Sequence, residues 1–328
     1  MRIIEYDADD AGLVEAGRLI INAAHALDCP WLPQVTAHRR TMDVRYGWDS
    51  SPTRHLLAEA RGGLVAEATV ELGEWDNRDL AWVYLIVHPD QRRNGHGSAF
   101  LQEIATRAGD LGCSKIGGSG WETPAAESFA VRHGFVRASQ EIYRAVRLSR
   151  LPAGFADAAY AEAAPAAADY DLLRLEGRVP AELLPTISEL TAAINDAPID
   201  DLDIEDEVFP VGRIRNYETS VIDSGHRLYR VLARSRATGE LAGHTVVAVD
   251  AETPTLAHQH DTSVVRAHRG HRLGLLLKSE MLRWLHEVEP QLETIDTWNA
   301  ETNDHMIGIN ERLAYEPLGR ELSFQRKL

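Results

Sequence analysis

The feature that most constrains this chain is a turn that occurs twice. Arg92-Arg93-Asn94-Gly95-His96-Gly97 and Arg269-Gly270-His271-Arg272-Leu273-Gly274 each follow a short apolar run and open an amphipathic segment. Arg92 and Arg269 stand 177 residues apart, as do Gly97 and Gly274, and Phe135 and Tyr315 stand 180 apart. So little drift between matching positions is the mark of an internal duplication. A chain of 328 residues has room for two domains of about 150 each. The expected division is a first copy at 1–150, a linker at 151–168 and a second copy at 169–328.

The element order supports this. In the first copy a strand at 3–6 precedes a helix at about 9–26, with Leu13, Ala16, Leu19, Ile20 and Ala23 on one face. Strands at 56–60 and 64–72 meet across Arg61-Gly62-Gly63, and a third runs over 82–87. After the turn come a helix, a glycine-containing strand at 115–119, a helix at 125–132 and a strand at 141–148. The second copy repeats the order: strand 170–175, helix 182–193, strands 228–233, 241–249 and 261–265, the turn and its helix, strand 294–298, helix 303–313 and a last strand near 321–325. Hairpins mixed with crossover helices predict an α/β (α+β) fold in each copy, with a mixed central sheet flanked by helices. The alanine-rich stretch 152–168 fits either a linker or a packed connecting helix; a linker over the surface is the expectation.

In the first turn, Asn94, Gly95, His96 and Gly97 place small residues where backbone N–H groups converge at a helix start. Arg92 and Arg93 add positive charge, so a diphosphate suits the loop better than a neutral ligand. No Gly-Lys-Ser/Thr follows, which excludes a nucleoside-triphosphate loop, and the third glycine of a dinucleotide loop is missing. The plain alternative is a glycine-capped helix with its arginines in water.

On these residues the chain resembles the GCN5-related N-acetyltransferase (GNAT) superfamily, in the tandem two-domain form of mycothiol synthase and related actinobacterial acyltransferases. The family's Arg/Gln-x-x-Gly-x-Gly/Ala loop is matched by Arg92 to Gly97 and less closely by Arg269 to Gly274, where Arg272 replaces the first glycine. The resemblance covers residues 1–148 and 169–328. It implies two acyl-CoA N-acyltransferase folds, each with a splayed sheet, and acetyl-CoA or another acyl-CoA as cofactor. It also implies that the pantetheine arm runs along Leu85 and Val87 or along Val264 and Val265. Many members carry a tyrosine, five residues before the aromatic of a Gly-Phe pair, that protonates the leaving thiolate. Ala130 and Asn310 occupy those positions here; Asn310 is a catalytic candidate as a hydrogen-bond donor to the sulfur or carbonyl oxygen but is not an acid, so the proton is left to water or to another residue such as Tyr217.

The second copy is richer in polar residues near the expected cleft. His260 and Asp261 precede the strand leading to the turn, and either can accept the amine proton. Asn299, Asn303, Met306 and Asn310 recur at helical spacing and fit a wall beside the cofactor arm. Glu71, Glu74 and His88 are the counterparts in the first copy, read more simply as strand-end residues. The expectation is therefore a catalytic C-terminal copy and an N-terminal copy that is structural or a second cofactor site; the tandem resemblance implies the same.

Composition limits the partners. Asp and Glu number 50 against 34 Lys and Arg, a formal charge of −16, which disfavours nucleic acid. Seven acidic residues between Asp196 and Glu207 fit a flexible solvated run or a wall that attracts cationic amines. Cys29 and Cys113 form no disulfide framework, and no metal-ligand spacing is present, so no metal is expected. Neither a signal peptide nor a membrane span is expected, which points to the cytoplasm. The reading is an N-acyltransferase, monomeric or homodimeric, acting on the primary amine of a small molecule by direct transfer. Its rivals are a non-catalytic acyl-CoA sensor or scaffold and a protein N-acetyltransferase.

Overall fold

The structure, a computed structural model, describes residues 1–328. In chain order its elements are β1 (Arg2–Tyr6), α1 (Ala11–Asp28), α2 (Ala37–Tyr46), β2 (Thr53–Ala60), β3 (Gly63–Leu72), β4 (Leu80–Val87), α3 (His96–Asp110), β5 (Lys115–Trp121), α4 (Pro124–Arg132) and β6 (Val136–Arg147). They continue with α5 (Phe155–Ala163), β7 (Tyr170–Glu176), α6 (Leu184–Thr191), α7 (Val211–Asp223), β8 (Arg227–Ser235), β9 (Leu241–Val249), β10 (Leu256–Val264), α8 (Leu273–Val288), β11 (Thr294–Ala300), α9 (Asp304–Arg312) and β12 (Glu316–Lys327). Each half is a mixed α/β fold with helices flanking a central mixed sheet, as the repeat required.

Two compact units form, and they are not the two consecutive halves expected at 1–150 and 169–328. The first comprises Met1–Glu141, Ile199–Glu207 and Gly319–Leu328, and the second Ile142–Pro198 and Val208–Leu318. In the first unit the strands lie in the order β1-β2-β3-β4-β5-β12. Neighbours are antiparallel except β4 and β5, which run parallel from Leu80↔Lys115 to Val83↔Gly118. The second unit repeats this as β7-β8-β9-β10-β11-β6, with the parallel pair β10 and β11 ending at His258↔Asp296. The last strand of the chain thus pairs antiparallel with β5 of the first unit, Glu321 opposite Trp121. Two copies with one strand pattern allow this exchange, because alternation specifies which face of a strand is buried and not which edge it joins.

The cores follow the alternation. In the first unit Ala66, Ala68 and Val70 of β3 and Ala81 and Val83 of β4 pack under Phe100, Leu101 and Ile104 of α3. On the opposite face Arg40 of α2 donates from Nη2 to Glu67 Oε1 (2.5 Å) and to Tyr6 Oη (2.5 Å), while Tyr6 Oη donates to Glu67 at 3.3 Å. Arg40 and Glu67 are both buried, so each neutralises a charge that would otherwise be stranded.

Residues 152–168 are not a surface linker. Gly154, at φ 73°, starts α5, and Ala159, Ala163 and Ala167 pack at four-residue spacing into the core of the second unit with Leu276, Leu277 and Met281 of α8. Small side chains let the two helices approach closely, which is why the segment is alanine-rich. Residues 199–207 are equally ordered. Lys115 Nζ donates to the Asp203 carbonyl (3.0 Å), Asn77 and Glu205 exchange hydrogen bonds, and Asp203 N–H donates to Gln325. No helix is long and apolar enough to cross a membrane.

Candidate active site

The two glycine turns differ in what surrounds them. In the first unit Gly95 sits at φ 82°, a conformation that favours glycine, with open space where a Cβ would project. Arg92 orients the turn: Nε donates to the Val87 carbonyl (3.2 Å), and Nη1 and Nη2 bind both oxygens of Asp28 at 2.9 and 2.6 Å. Arg93 is exposed and unpaired. Asn94 donates to the Gln91 carbonyl and tightens the turn. The first N–H groups of α3 therefore open outward beside a free guanidinium.

That turn is one wall of a cavity of about 450 Å³. Leu85, Val87, Arg92, Arg93, Gly95, His96 and Gly97, all expected to hold the cofactor, line it, together with Leu101, Gly120, Phe129, Ala130 and Phe135. The register of β4 with β5 stops at Val83↔Gly118, so Tyr84 to Val87 face the cavity with no strand partner on that side. Gly118 permits the close approach of the strands at their last pair before they part: a Cβ there would lie 2.4 Å from the Val83 carbonyl oxygen. Such a slot, with bare strand edge, small lining residues and an open helix N-terminus, fits a phosphate-bearing thioester with an extended arm.

Tyr84, Ser119 and Glu321 also line the cavity. Ser119 Oγ donates to Glu321 Oε1 at 2.7 Å. Burial, with a smaller push from Glu141, raises the Glu321 carboxyl to about 7. Glu71 is also raised to about 7 by desolvation and by Asp49, although its side chain reaches solvent. Desolvation and the nearby Glu71, Glu321 and Glu141 keep the Tyr84 phenol protonated above its ordinary range, although the residue is 37% exposed. Glu141 is itself raised by burial and by Asp200. Sequence reasoning noticed Glu71 but missed Glu321, which is far along the chain and reaches the cavity only through the pairing of β12 with β5. Glu74 and His88 have structural jobs: the Glu74 carbonyl accepts from Arg78, and His88 Nδ1 accepts from the Asp90 N–H.

The second unit keeps the same loop anchoring. Arg269 Nε donates to the Val264 carbonyl (3.1 Å), and Asp196 takes Arg269 and Arg266, as Asp28 takes Arg92. The space behind the loop is used differently. Arg272 (φ 54°) donates to Glu162 of α5, which also binds Arg312, while Leu273 and Gly274 are buried. A Cβ on Gly274 would lie 2.8 Å from Ile309 Cδ1. By the repeat offset, Lys278, Asn299 and Asn310 replace the cavity-lining Leu101, Gly120 and Ala130. Lys278 Nζ donates to Asn310 Oδ1 (2.7 Å), and Asn310 Nδ2 donates to Asn299 Oδ1 (2.5 Å), a polar bridge across the space. Lys278 is 2% exposed, and burial lowers its ammonium to about 7. It sits 4.7 Å from the centre of the Tyr315 ring.

The other residues singled out in this copy separate. Asn303 caps α9, accepting from the Met306 N–H, and Met306 packs on the apolar core. Gly270 and His271 are exposed, with His271 beside the Tyr170 ring; Val264 packs on one core cluster and Val265 on another. His260 and Asp261 do not simply alternate, because the register shifts between Gln259 and Thr262. His260 Nδ1 meets Tyr217 Oη at 2.6 Å, while Asp261 pairs with buried His244. Since Arg230 donates to His244 Nδ1 at 2.9 Å, the proton of His244 lies on Nε2 and points to Asp261. His258, which the sequence placed among scattered histidines, is held by Asp296 (2.9 Å), itself bound by Tyr143 Oη (2.8 Å). Cys29 and Cys113 are free, buried and pushed above the ordinary thiol range, Cys29 to about 12. No group of three or more His, Cys, Asp or Glu side chains is arranged to hold a metal ion.

A duplicated mixed sheet whose central parallel strands part beside a helix start is an arrangement shared with known acetyltransferases. The acetyltransferase (GNAT) domain model matches residues 51–137, and the whole chain has the fold of a tandem GNAT protein. The chain is 37% identical over 101 residues to a mycothiol acetyltransferase from Stackebrandtia nassauensis. That match takes in 29% of this chain and 31% of the relative, so it spans about a third of the relative's length. Among solved structures, a tandem GNAT protein from the clavulanic acid biosynthesis pathway superposes with a TM-score of 0.81 at 25% identity, covering 99% of this chain and 98% of the other. A GCN5-related N-acetyltransferase from Sphaerobacter thermophilus shares the fold at TM-score 0.71 and 16% identity, covering 99% and 95%.

Proposed function

We propose that the N-terminal unit binds an acyl-CoA, with acetyl-CoA the first candidate, and transfers its acyl group to the primary amine of a small molecule. One observation carries this reading: the open Arg92–Gly97 turn leads into a cavity that runs along unpaired β4 to a carboxylate and a phenol. This is the copy that the sequence treated as structural or as a second cofactor site. The matching space in the other copy contains the bridge of Lys278, Asn310 and Asn299.

The acyl-CoA supplies the activated acyl group. The first N–H groups of α3, at the positive end of the helix dipole, bind the diphosphate, aided by Arg93. Asp28 and the Val87 carbonyl fix Arg92 and hold the turn in shape. Tyr84 to Val87 offer backbone donors and acceptors to the amides of the arm, while Leu85, Val87 and Leu101 exclude water from it. The acceptor must attack as a neutral amine, and the crowd of Glu71, Glu141 and Glu321 attracts it in its more abundant ammonium form. Tyr84, kept protonated, provides a donor for the departing sulfur in place of the family tyrosine that Ala130 replaces.

The test is release of free CoA thiol from acetyl-CoA in the presence of a panel of mono-, di- and polyamines and amino sugars. Turnover is expected with at least one amine and should vanish in Gly95→Glu, which strains the turn and sets a carboxylate in the phosphate cradle. Tight acetyl-CoA binding without turnover on any amine would favour a sensor. Turnover that survives Gly95→Glu would move the chemistry out of the N-terminal unit.

A further inference from the structure

Among the ionisable groups around the N-terminal cavity, one comes from an unexpected part of the chain. Glu321 lies on β12, the last strand, which the repeat assigns to the second copy but which pairs with β5 of the first unit through seven registered positions, from Glu321↔Trp121 to Lys327↔Lys115. The preceding residues reinforce the placement: the Arg320 carbonyl accepts from Glu122 N–H at 2.8 Å, and Gly319 lies so close to Trp31 and Trp121 that a Cβ would clash with both rings. The Glu321 carboxylate is therefore fixed on a rigid strand. Ser119 Oγ occupies Oε1, and Oε2 has no partner. The ionisable neighbours are Tyr84 from β4, Glu141 from β6 and Cys29 from the end of α1, none of them basic.

We propose that Glu321, brought to the N-terminal cavity by the final strand and held by Ser119, is the proton acceptor in acyl transfer. This inference rests on the reading that the same cavity takes the acyl-CoA. The amine nitrogen forms the new C–N bond as the C–S bond breaks. One N–H proton of the amine passes to Glu321 Oε2, while the departing thiolate accepts a hydrogen bond from the Tyr84 hydroxyl and takes its proton from solvent. A carboxyl whose burial lifts it to about 7 is matched to this task near neutral pH, whereas an ordinary exposed glutamate would be too weak a base. The catalytic centre encoded by the first copy is then incomplete until β12 has paired with β5, so transfer activity depends on that strand as well as on the glycine turn.

The experiment compares full-length wild type, Glu321→Gln and Ser119→Ala by acetyl-CoA affinity, kcat and the pH profile of kcat/KM, using the amine found most active with wild type. Glu321→Gln keeps the size of the side chain and its bond from Ser119. It is expected to bind acetyl-CoA with unchanged affinity, to lose about 100-fold in kcat and to lose the acidic limb near pH 7. Ser119→Ala removes a hydrogen bond that favours the carboxylate, so its acidic limb should move to higher pH with a smaller loss in kcat. If Glu321→Gln binds acetyl-CoA and turns over at the wild-type rate, or if the acidic limb is the same in all three proteins, Glu321 is not the base, and the cavity assignment stands. Failure of wild type to bind any acyl-CoA would instead remove the cavity assignment. Should Glu321→Gln fold poorly, the direction of the Ser119→Ala shift decides the matter alone.

Discussion

Lys278→Met tests the account of the second copy most sharply. Lys278 is buried on α8 with an amide oxygen, not a carboxylate, as its partner. Its ammonium falls from the usual 10.5 to about 7, a difference that corresponds to about 5 kcal/mol at roughly 1.4 kcal/mol per pH unit. The sign follows from linkage. Between pH 10.5 and pH 7 the unfolded chain takes up this proton and the folded chain does not. The folded state therefore loses stability as pH falls through that window and loses no more from this group below it. Methionine carries no such penalty but gives up the bond to Asn310 and leaves that oxygen buried, a cost of about 2–3 kcal/mol. The variant should thus be more stable than wild type by about 2 kcal/mol at pH 6.5, equal to it near pH 9 and less stable above. Urea unfolding of both proteins across pH 6.5–10 reads this directly. A difference independent of pH, or a variant less stable than wild type at pH 6.5, would show that Lys278 is charged at no special cost.

Other expectations concern packing and the division of labour between the copies. Gly274→Ala places a methyl 2.8 Å from Ile309 Cδ1, so it should destabilise by about 1–3 kcal/mol in thermal unfolding while acetyl-CoA affinity remains at the wild-type value. Glu67→Ala strands the buried Arg40 and Tyr6 and should cost about 3–5 kcal/mol, whereas Arg54→Ala, which breaks an exposed pair with Glu5, should cost under about 1 kcal/mol by the same measurement.

The duplication, the mixed sheets and the first glycine turn were legible because they depend on local information: periodic apolar residues, glycines at helix starts and a nearly fixed offset. The loop arginines kept their anchoring role in both copies, which fits a repeat preserved in its backbone bonds. What the sequence hid was non-local. Pairing of β12 with β5 leaves the same alternation in the sequence as pairing within its own copy, so Glu321 had no visible link to the first turn. Lys278 is polar in an otherwise apolar stripe and reads as solvent-facing until Asn310 of α9 and the Tyr315 ring are found against it. The four-residue spacing of Ala159, Ala163 and Ala167 was the available sign that residues 152–168 form a buried helix. The acidic run before α7 read as flexible because charge is visible in a sequence, while its bonds to Asn77, Lys115 and Gln325 are not.

The most direct test of the central claim is the number of acetyl-CoA molecules bound per chain, measured by titration calorimetry on wild type, Gly95→Glu and Gly274→Ala. One equivalent is predicted for wild type and for Gly274→Ala, and none for Gly95→Glu. Two equivalents on wild type, or one retained by Gly95→Glu, would contradict the assignment of the site to the N-terminal unit.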